Sequence, residues 1–232
     1  MSLKKIIKKM RSQNKRTMKF SSSPIFHYIF RNSGLYASAF FALLKIHPTF
    51  INLLNLFLGA ISVILVLIDT NNFKTAITLF LIAEFLDLTD GNLARYYNIS
   101  SFWGRYLDGM VDILNYGFLM IVFFIFCLNN YSDNFIIIIS TFAILASPIY
   151  HFMYDKYSSL ARWSNYVNNT KVNPYIRMKV GKRTNFTLID IEFLLLFMIF
   201  LINDNLKLYY LIYAYLLIHI IKMIFNLTIH TY

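Results

Sequence analysis

The sequence predicts an all-α, polytopic membrane protein with six transmembrane helices and an N-terminal amphipathic surface helix region. Three observations carry that prediction. Of its 232 residues, 58% are hydrophobic and only 14% are charged, against about 25% charged in an ordinary globular domain. Mean hydropathy is +0.54, and a soluble fold of this length has too little interior to hide so much apolar surface. Finally, six stretches, near 50–69, 73–95, 104–129, 134–154, 186–203 and 207–228, approach the length a span requires, which is about 20 mostly apolar residues. A cytosolic enzyme, a secreted domain and a disordered chain all fit this composition badly. The single cysteine, Cys127, has no partner for an internal disulfide.

From the N-terminus, Leu3, Ile6, Ile7 and Met10 recur at helical spacing opposite Lys4, Lys5, Lys8, Lys9 and Arg11. That pattern predicts an amphipathic helix lying on anionic lipid. The long basic run, with no compact apolar region and small-residue cleavage site after it, is not a removable signal. Ser23-Pro24 reads as a cap and first helical residue. A second surface helix is expected to about Arg31 and a third from Leu35 to Lys45. Pro48 opens the first span. The chain thus divides into a basic interfacial segment, 1–47, and a membrane domain, 48–232.

Basic residues set the orientation. With a cytoplasmic N-terminus, the inside segments 1–49, 95–105 and 155–185 hold 19 of the 22 Lys and Arg, and Lys222 makes 20. Only Lys74 and Lys207 fall outside. Both termini are therefore expected in the cytoplasm. The net charge of +11 is explained by this placement, so no nucleic-acid partner is expected. Abundant Ile, Asn, Lys, Phe and Tyr suggest an AT-rich genome, hence a prokaryotic inner membrane.

The second and third spans carry acids. Asp87, Asp90, Gly91, Ala94 and Arg95 share one helix face, as do Gly104, Asp108 and Asp112. A short turn near 98–101 makes the two helices antiparallel neighbours whose polar faces meet. Charged groups inside spans are costly and mark function. An isolated Asp could pair with Arg95 or Arg105, and glycines could serve close packing. Four acids, two glycines, an alanine and an arginine at one joint spacing are hard to reach by structural accident. Converging carboxylates repel, so either their pKa values rise or a cation compensates. All-oxygen donors select Mg²⁺, Mn²⁺ or Ca²⁺, and the lack of His or Cys disfavours zinc. Gly91, Ala94 and Gly104 leave room beside the ions for a flat or bulky ligand. Two metals next to such a cavity suit phosphoryl transfer.

At these residues the chain resembles the CDP-alcohol phosphatidyltransferase family, whose motif is D-x2-D-G-x2-A-R-x8-G-x3-D-x3-D. Asp87, Asp90, Gly91, Ala94, Arg95, Gly104, Asp108 and Asp112 supply it without deviation over 26 residues. The resemblance implies transfer of a phosphatidyl group from a CDP-alcohol, usually CDP-diacylglycerol, to a second alcohol, with release of CMP. It implies two Mg²⁺ or Mn²⁺ ions on Asp87, Asp90 and Asp108, with Asp112 as general base and further metal contact. Gly91, Ala94 and Gly104 would border the cytidine, with Arg95 near the nucleotide. A homodimer is expected on the same ground. One stretch departs from the family: many members open the first span with Pro-Asn-x-x-Thr, where this chain has Pro48-Thr49-Phe50-Ile51-Asn52. Two other readings compete: a transporter using the acids as a cation path, and an inactive relative that binds CDP-lipid.

The acceptor is left open among polar alcohols. A phosphorylated one would need cations, for which Arg105, Arg162, Lys179, Lys182 and Arg183 are candidates or else membrane anchors. Asp112-Ile-Leu-Asn115-Tyr116-Gly117 is faintly similar to a stretch in serine-transferring members. Glu84 either contacts substrate or, as the favoured reading, pairs with Lys222 or His219, while Asp190 and Glu192 are expected to meet the basic 177–183 run. Pro148 is expected to kink the fourth span, with His151 as a packed polar residue.

Overall fold

The computed structural model describes residues 3–13, 25–99, 101–169 and 188–229. Among them lie eight α-helices and no strand: α1 (Leu3–Gln13), α2 (Ile25–Leu43), α3 (Pro48–Ile68), α4 (Phe73–Tyr97), α5 (Phe102–Asn130), α6 (Asn134–Val167), α7 (Leu188–Leu201) and α8 (Asn205–Ile229). The fold class is all-α, as the sequence predicts.

Four helices, α3, α5, α6 and α8, are long and apolar enough to cross a membrane. Six were expected. The α4 helix has 25 residues, but Lys74, Glu84, Asp87, Asp90 and Arg95 interrupt its apolar run. The described part of α7 is apolar but only 14 residues long. Lipid-facing stripes are plain on α3, where Phe50, Leu53, Phe57, Ile61, Ile64 and Leu67 are exposed, and on α6, where Phe135, Ile138, Phe142 and Leu145 are.

Local chemistry explains the helix starts and stops. His47 caps α3, its Nδ1 accepting from the Thr49 N–H at 3.3 Å, and Pro48 occupies the first turn. Asp133 caps α6, with Oδ1 accepting from the Phe135 N–H at 2.9 Å. The α4–α5 turn begins at Asn98, whose φ of 58° is the left-handed conformation that ends helices. It closes at Ser101, whose Oγ accepts from the Gly104 N–H at 2.9 Å.

Three elements differ from expectation. The apolar face of α1 does not turn to lipid. Ile6 and Met10 are buried against α2, α3 and α4, while Lys4, Lys5 and Lys8 stay exposed. Covering that face with protein buries it more completely than a headgroup layer would. The two short helices expected around Arg31 and Leu35 are one helix, α2. It runs through Gly34, where it crosses α4 closely: a Cβ there would lie 3.7 Å from Leu88 Cβ. The Ser38 hydroxyl ties the crossing, donating to Gly34 O at 2.6 Å, with Thr89 O at 3.2 Å. Ser23 and Pro24 lie outside the described residues. Finally, α6 passes Pro148 unbroken and reaches Val167, for 34 residues in all. At 1.5 Å per residue it is about 51 Å long, so about 20 Å projects beyond a hydrocarbon core of about 30 Å.

The apolar core has two parts. One gathers Phe73, Ile77 and Phe80 of α4 with Met120, Phe123, Ile136, Leu196, Ile212 and Tyr215. The other gathers Ile6, Met10, Leu35, Ala39, Ile51, Leu86 and Leu93. Polar side chains fill the space between. There Asn115 Nδ2 donates to Asn55 Oδ1 at 2.8 Å, with both residues buried. Gly59 makes room for this pair, since a Cβ at that position would fall 2.1 Å from Asn115 Oδ1.

Candidate functional site

Because α4 and α5 are antiparallel neighbours across a short turn, their polar faces meet between the two cores. Oxygens of Asp87, Asp90 and Asp108 all lie within 4.8 Å of one another. Asp90 is 5% exposed, and its Oδ1 has no hydrogen-bond donor among the described residues. Asp112, one turn beyond Asp108, sits beside Asp87 but outside the set of three. Glu84 lies one turn before Asp87, against the Tyr116 hydroxyl.

Carboxylates this close in a low-dielectric interior repel strongly unless a proton or a cation is shared between them. The cluster is all oxygen, compact and partly orphaned, which fits a hard divalent ion. Arg95 interacts electrostatically with Asp90 and Asp108. Its Nη2 also donates to Asn92 Oδ1 at 2.9 Å.

The cluster opens into a cleft of about 460 Å³ lined by Asp90, Gly91, Ala94, Arg95, Gly104 and Asp108. All four residues expected to border a nucleotide are therefore on one cavity. Gly91 and Gly104 face it with no side chain. The opposite wall is the start of α3: His47, Pro48, Thr49 and Asn52. Asn52 is buried, and its Oδ1 has no partner among the described residues. The departure at this helix start thus still places polar groups and a helix N-terminus on the cleft, an arrangement suited to anions.

A family model for CDP-alcohol phosphatidyltransferase matches residues 45–225. The chain belongs to the CDP-alcohol phosphatidyltransferase family. Membership carries the family's general activity, phosphotransfer from a CDP-alcohol. No curated protein matches the chain. Each motif residue of the CDP-alcohol phosphatidyltransferases from Asp87 to Asp108 lies on the acid cluster or the cleft, and Asp112 adjoins Asp87.

One expected pairing is altered. Glu84 lies within electrostatic reach of Lys222 but forms no ion pair with it or with His219 among the described residues. That place is taken by Glu192 of α7, which is ion-paired with Lys222 and has Oε1 2.8 Å from His219 Nε2. All three are buried, and pairing with one another offsets the cost of burying charge. Glu192 is also expected to meet the basic 177–183 run. That run, with Lys179, Lys182 and Arg183, lies outside the described residues, as does the side chain of Asp190. His151 stacks on Tyr116, with ring centroids 3.8 Å apart, as a packed polar residue should. Tyr116 and Asn115 are engaged in packing, Asn115 with Asn55. Arg105 lines the cleft, and Arg162 lies two turns beyond Asp155 on α6.

Sequence reasoning missed Asp155, whose carboxylate carbon would be 3.5 Å from a Cβ at Gly109. It lies between the turns of α5 that carry Asp108 and Asp112. The only signal for it was its place one helical turn after His151. His47 and Trp103 on the cleft had no signal at all.

Proposed function

We propose that the protein transfers a substituted phosphate from a CDP-alcohol, CDP-diacylglycerol, to the hydroxyl of a second, polar alcohol and releases CMP. The observation that carries this is the joint placement of three clustered carboxylates and a cleft walled by Gly91, Ala94 and Gly104. In this reading Asp87, Asp90 and Asp108 hold two Mg²⁺ or Mn²⁺ ions, with Asp112 at their edge. The bound ions would offset charge on the diphosphate and on the departing CMP.

The chain's own residues do the rest. Small side chains on α4 and α5 admit the flat base and bring backbone close to it. Arg95 and the start of α3, with Thr49 and Asn52, face the negative diphosphate. Asp112 takes the proton of the attacking hydroxyl. The acceptor oxygen then bonds to the phosphorus bearing the lipid alcohol, the bridging P–O bond breaks, and CMP leaves with the bridging oxygen.

We further infer that α4 and α7 complete six spans, with both termini and the cleft on the cytoplasmic side of the cell membrane. Basic residues beside anionic lipid and a homodimer belong to the same reading. The test is CMP release from labelled CDP-diacylglycerol with Mg²⁺ or Mn²⁺ across a panel of alcohols, with lipid products identified by mass. Asp112→Asn should lower turnover by about 10²–10⁴-fold while the protein stays folded. Undiminished turnover removes Asp112 as base, and metal-dependent ion flux without CMP formation favours a transporter.

A further inference from the structure

The end of α4 forms one wall of the cleft, and a helix end is the least self-sufficient part of a helix. Its last four carbonyls have no partner within the helix. Two are met locally: Ala94 O accepts from the Ile99 N–H at 3.0 Å and Arg95 O from the Asn98 N–H at 3.2 Å. Two further bonds come from α1, far away in sequence. Gln13 Nε2 donates to Arg95 O at 3.1 Å, and Lys9 Nζ donates to Tyr96 O at 3.3 Å.

The chemistry suits the position. An ammonium at a helix C-terminus faces the negative end of the helix dipole. Lys9 Nζ also lies 4.5 Å from the centroid of the Tyr96 ring, a cation–π distance. The donors are held in place: Ile6 and Met10 are buried beneath them, and Arg11 Nη2 donates to the Tyr36 hydroxyl at 3.1 Å. On the other side of the same turn, Ala94, Arg95, Ile99 and Ser101 line the cleft. The carbonyl that Gln13 holds belongs to the residue whose guanidinium faces the ligand space.

We propose that α1 caps the C-terminus of α4 in trans, and that Lys9 and Gln13 are positioning residues for the nucleotide wall of the cleft. Neither touches the cleft. They act through Arg95 and Tyr96, by keeping the last turn of α4 from fraying. The kinetic consequence rests on the transferase reading above, whereas the capping itself does not.

The test uses the full-length protein in lipid nanodiscs, as wild type, as Lys9→Met/Gln13→Leu, and as Lys9→Arg, which keeps a charged donor. Both sets retain Ile6 and Met10, so α1 stays docked. Hydrogen exchange at the Asn98 and Ile99 amides should quicken in the double variant by about three- to thirtyfold, the expected loss from two contacts of this strength. KM for the CDP-alcohol should rise about three- to tenfold, while kcat and the acceptor KM hold within about twofold. Lys9→Arg should restore most of both. Unchanged exchange overturns the cap. Faster exchange with an unchanged donor KM, or a fall in kcat alone, overturns the positioning role. A wild type that releases no CMP from any CDP-alcohol sinks the transferase reading instead. Exchange and calorimetric binding of CDP with Mn²⁺ then decide the cap on the same criteria.

Discussion

Replacing Gly91 should move stability and donor binding in opposite directions. Gly91 lies inside α4 with helical neighbours on both sides, so its missing side chain weakens the helix by about 1 kcal/mol relative to alanine. A Cβ placed there would meet no backbone. Its nearest neighbours are Arg95 Nη2 at 3.4 Å and Nη1 at 3.5 Å, the mobile end of a long side chain. Gly91→Ala should therefore be accepted by the protein and raise the unfolding temperature by about 2–4 °C. The cost falls on the ligand, because the methyl projects into the cleft beside the guanidinium. Overpacking of that kind costs about 1–3 kcal/mol, or about 5- to 150-fold in donor KM, with little change in kcat. Gly91→Leu should abolish donor binding while the helix persists. The assay pairs thermal unfolding in mixed micelles with KM for the CDP-alcohol. A Gly91→Ala protein that is stabilised yet binds donor like the wild type would refute the placement of the nucleotide. One that is destabilised would show that Gly91 serves packing.

Other consequences can be read on the same protein. Asp90→Asn should weaken Mn²⁺ binding at least about tenfold, read by electron paramagnetic resonance without any turnover; wild-type affinity would remove Asp90 from the ligand set. Glu192→Ala strands Lys222 in the interior and should cost about 3–5 kcal/mol of unfolding free energy, while Glu192→Leu/Lys222→Met should cost far less. Equal losses would mean that the pair is not the source. At the other end of the bundle, the Asp133 carboxyl accepts from the Tyr209 hydroxyl at 2.5 Å and from the Phe135 N–H. These bonds hold it below the ordinary aspartate range. Its stabilising effect is therefore present above the unfolded pKa and lost as pH falls through the folded one. The unfolding-temperature gap between wild type and Asp133→Asn should close on acidification, and a gap independent of pH would contradict the assignment.

Most of the active face was legible because one helical turn and one short loop fix it. Asp87, Asp90, Gly91, Ala94 and Arg95 need only the helical period to share a side, and the Asn98–Ser101 turn needs only local capping to fold α5 back. What required tertiary packing was not legible. Asp155 reaches Gly109 only because α6 continues past Pro148, and nothing in the apolar pattern fixes where such a helix stops. The choice of Glu192 over Glu84 as partner of Lys222 depends on how α7 sits against α8. Both acids have the right charge and both act on Lys222, and only the packing brings Glu192 into an ion pair with it. The continuity of α2 through Gly34 is likewise decided by α4 beneath it, and the inward face of α1 by the apolar residues that α2, α3 and α4 offer it.

The α4 helix is too interrupted by charge to stand with the four long apolar helices, and the same acids place it at the candidate site. The apolar residues of α4 are split, with Phe73 to Phe80 in one core and Leu86 and Leu93 in the other. Glu84 falls in the gap, Asp87 and Asp90 fall between Leu86 and Leu93, and Asp90 lines the cleft. A helix with three acids in its middle turns gains too little from lipid to hold its place alone. The α4 helix is held instead by close neighbours: α2 across Gly34 and Ser38, α1 at its C-terminus, and α3 along its length. Those contacts permit charge in the interior of the bundle. Losing any of them should therefore be felt at the acid cluster as well as in the second core, which the same helices build.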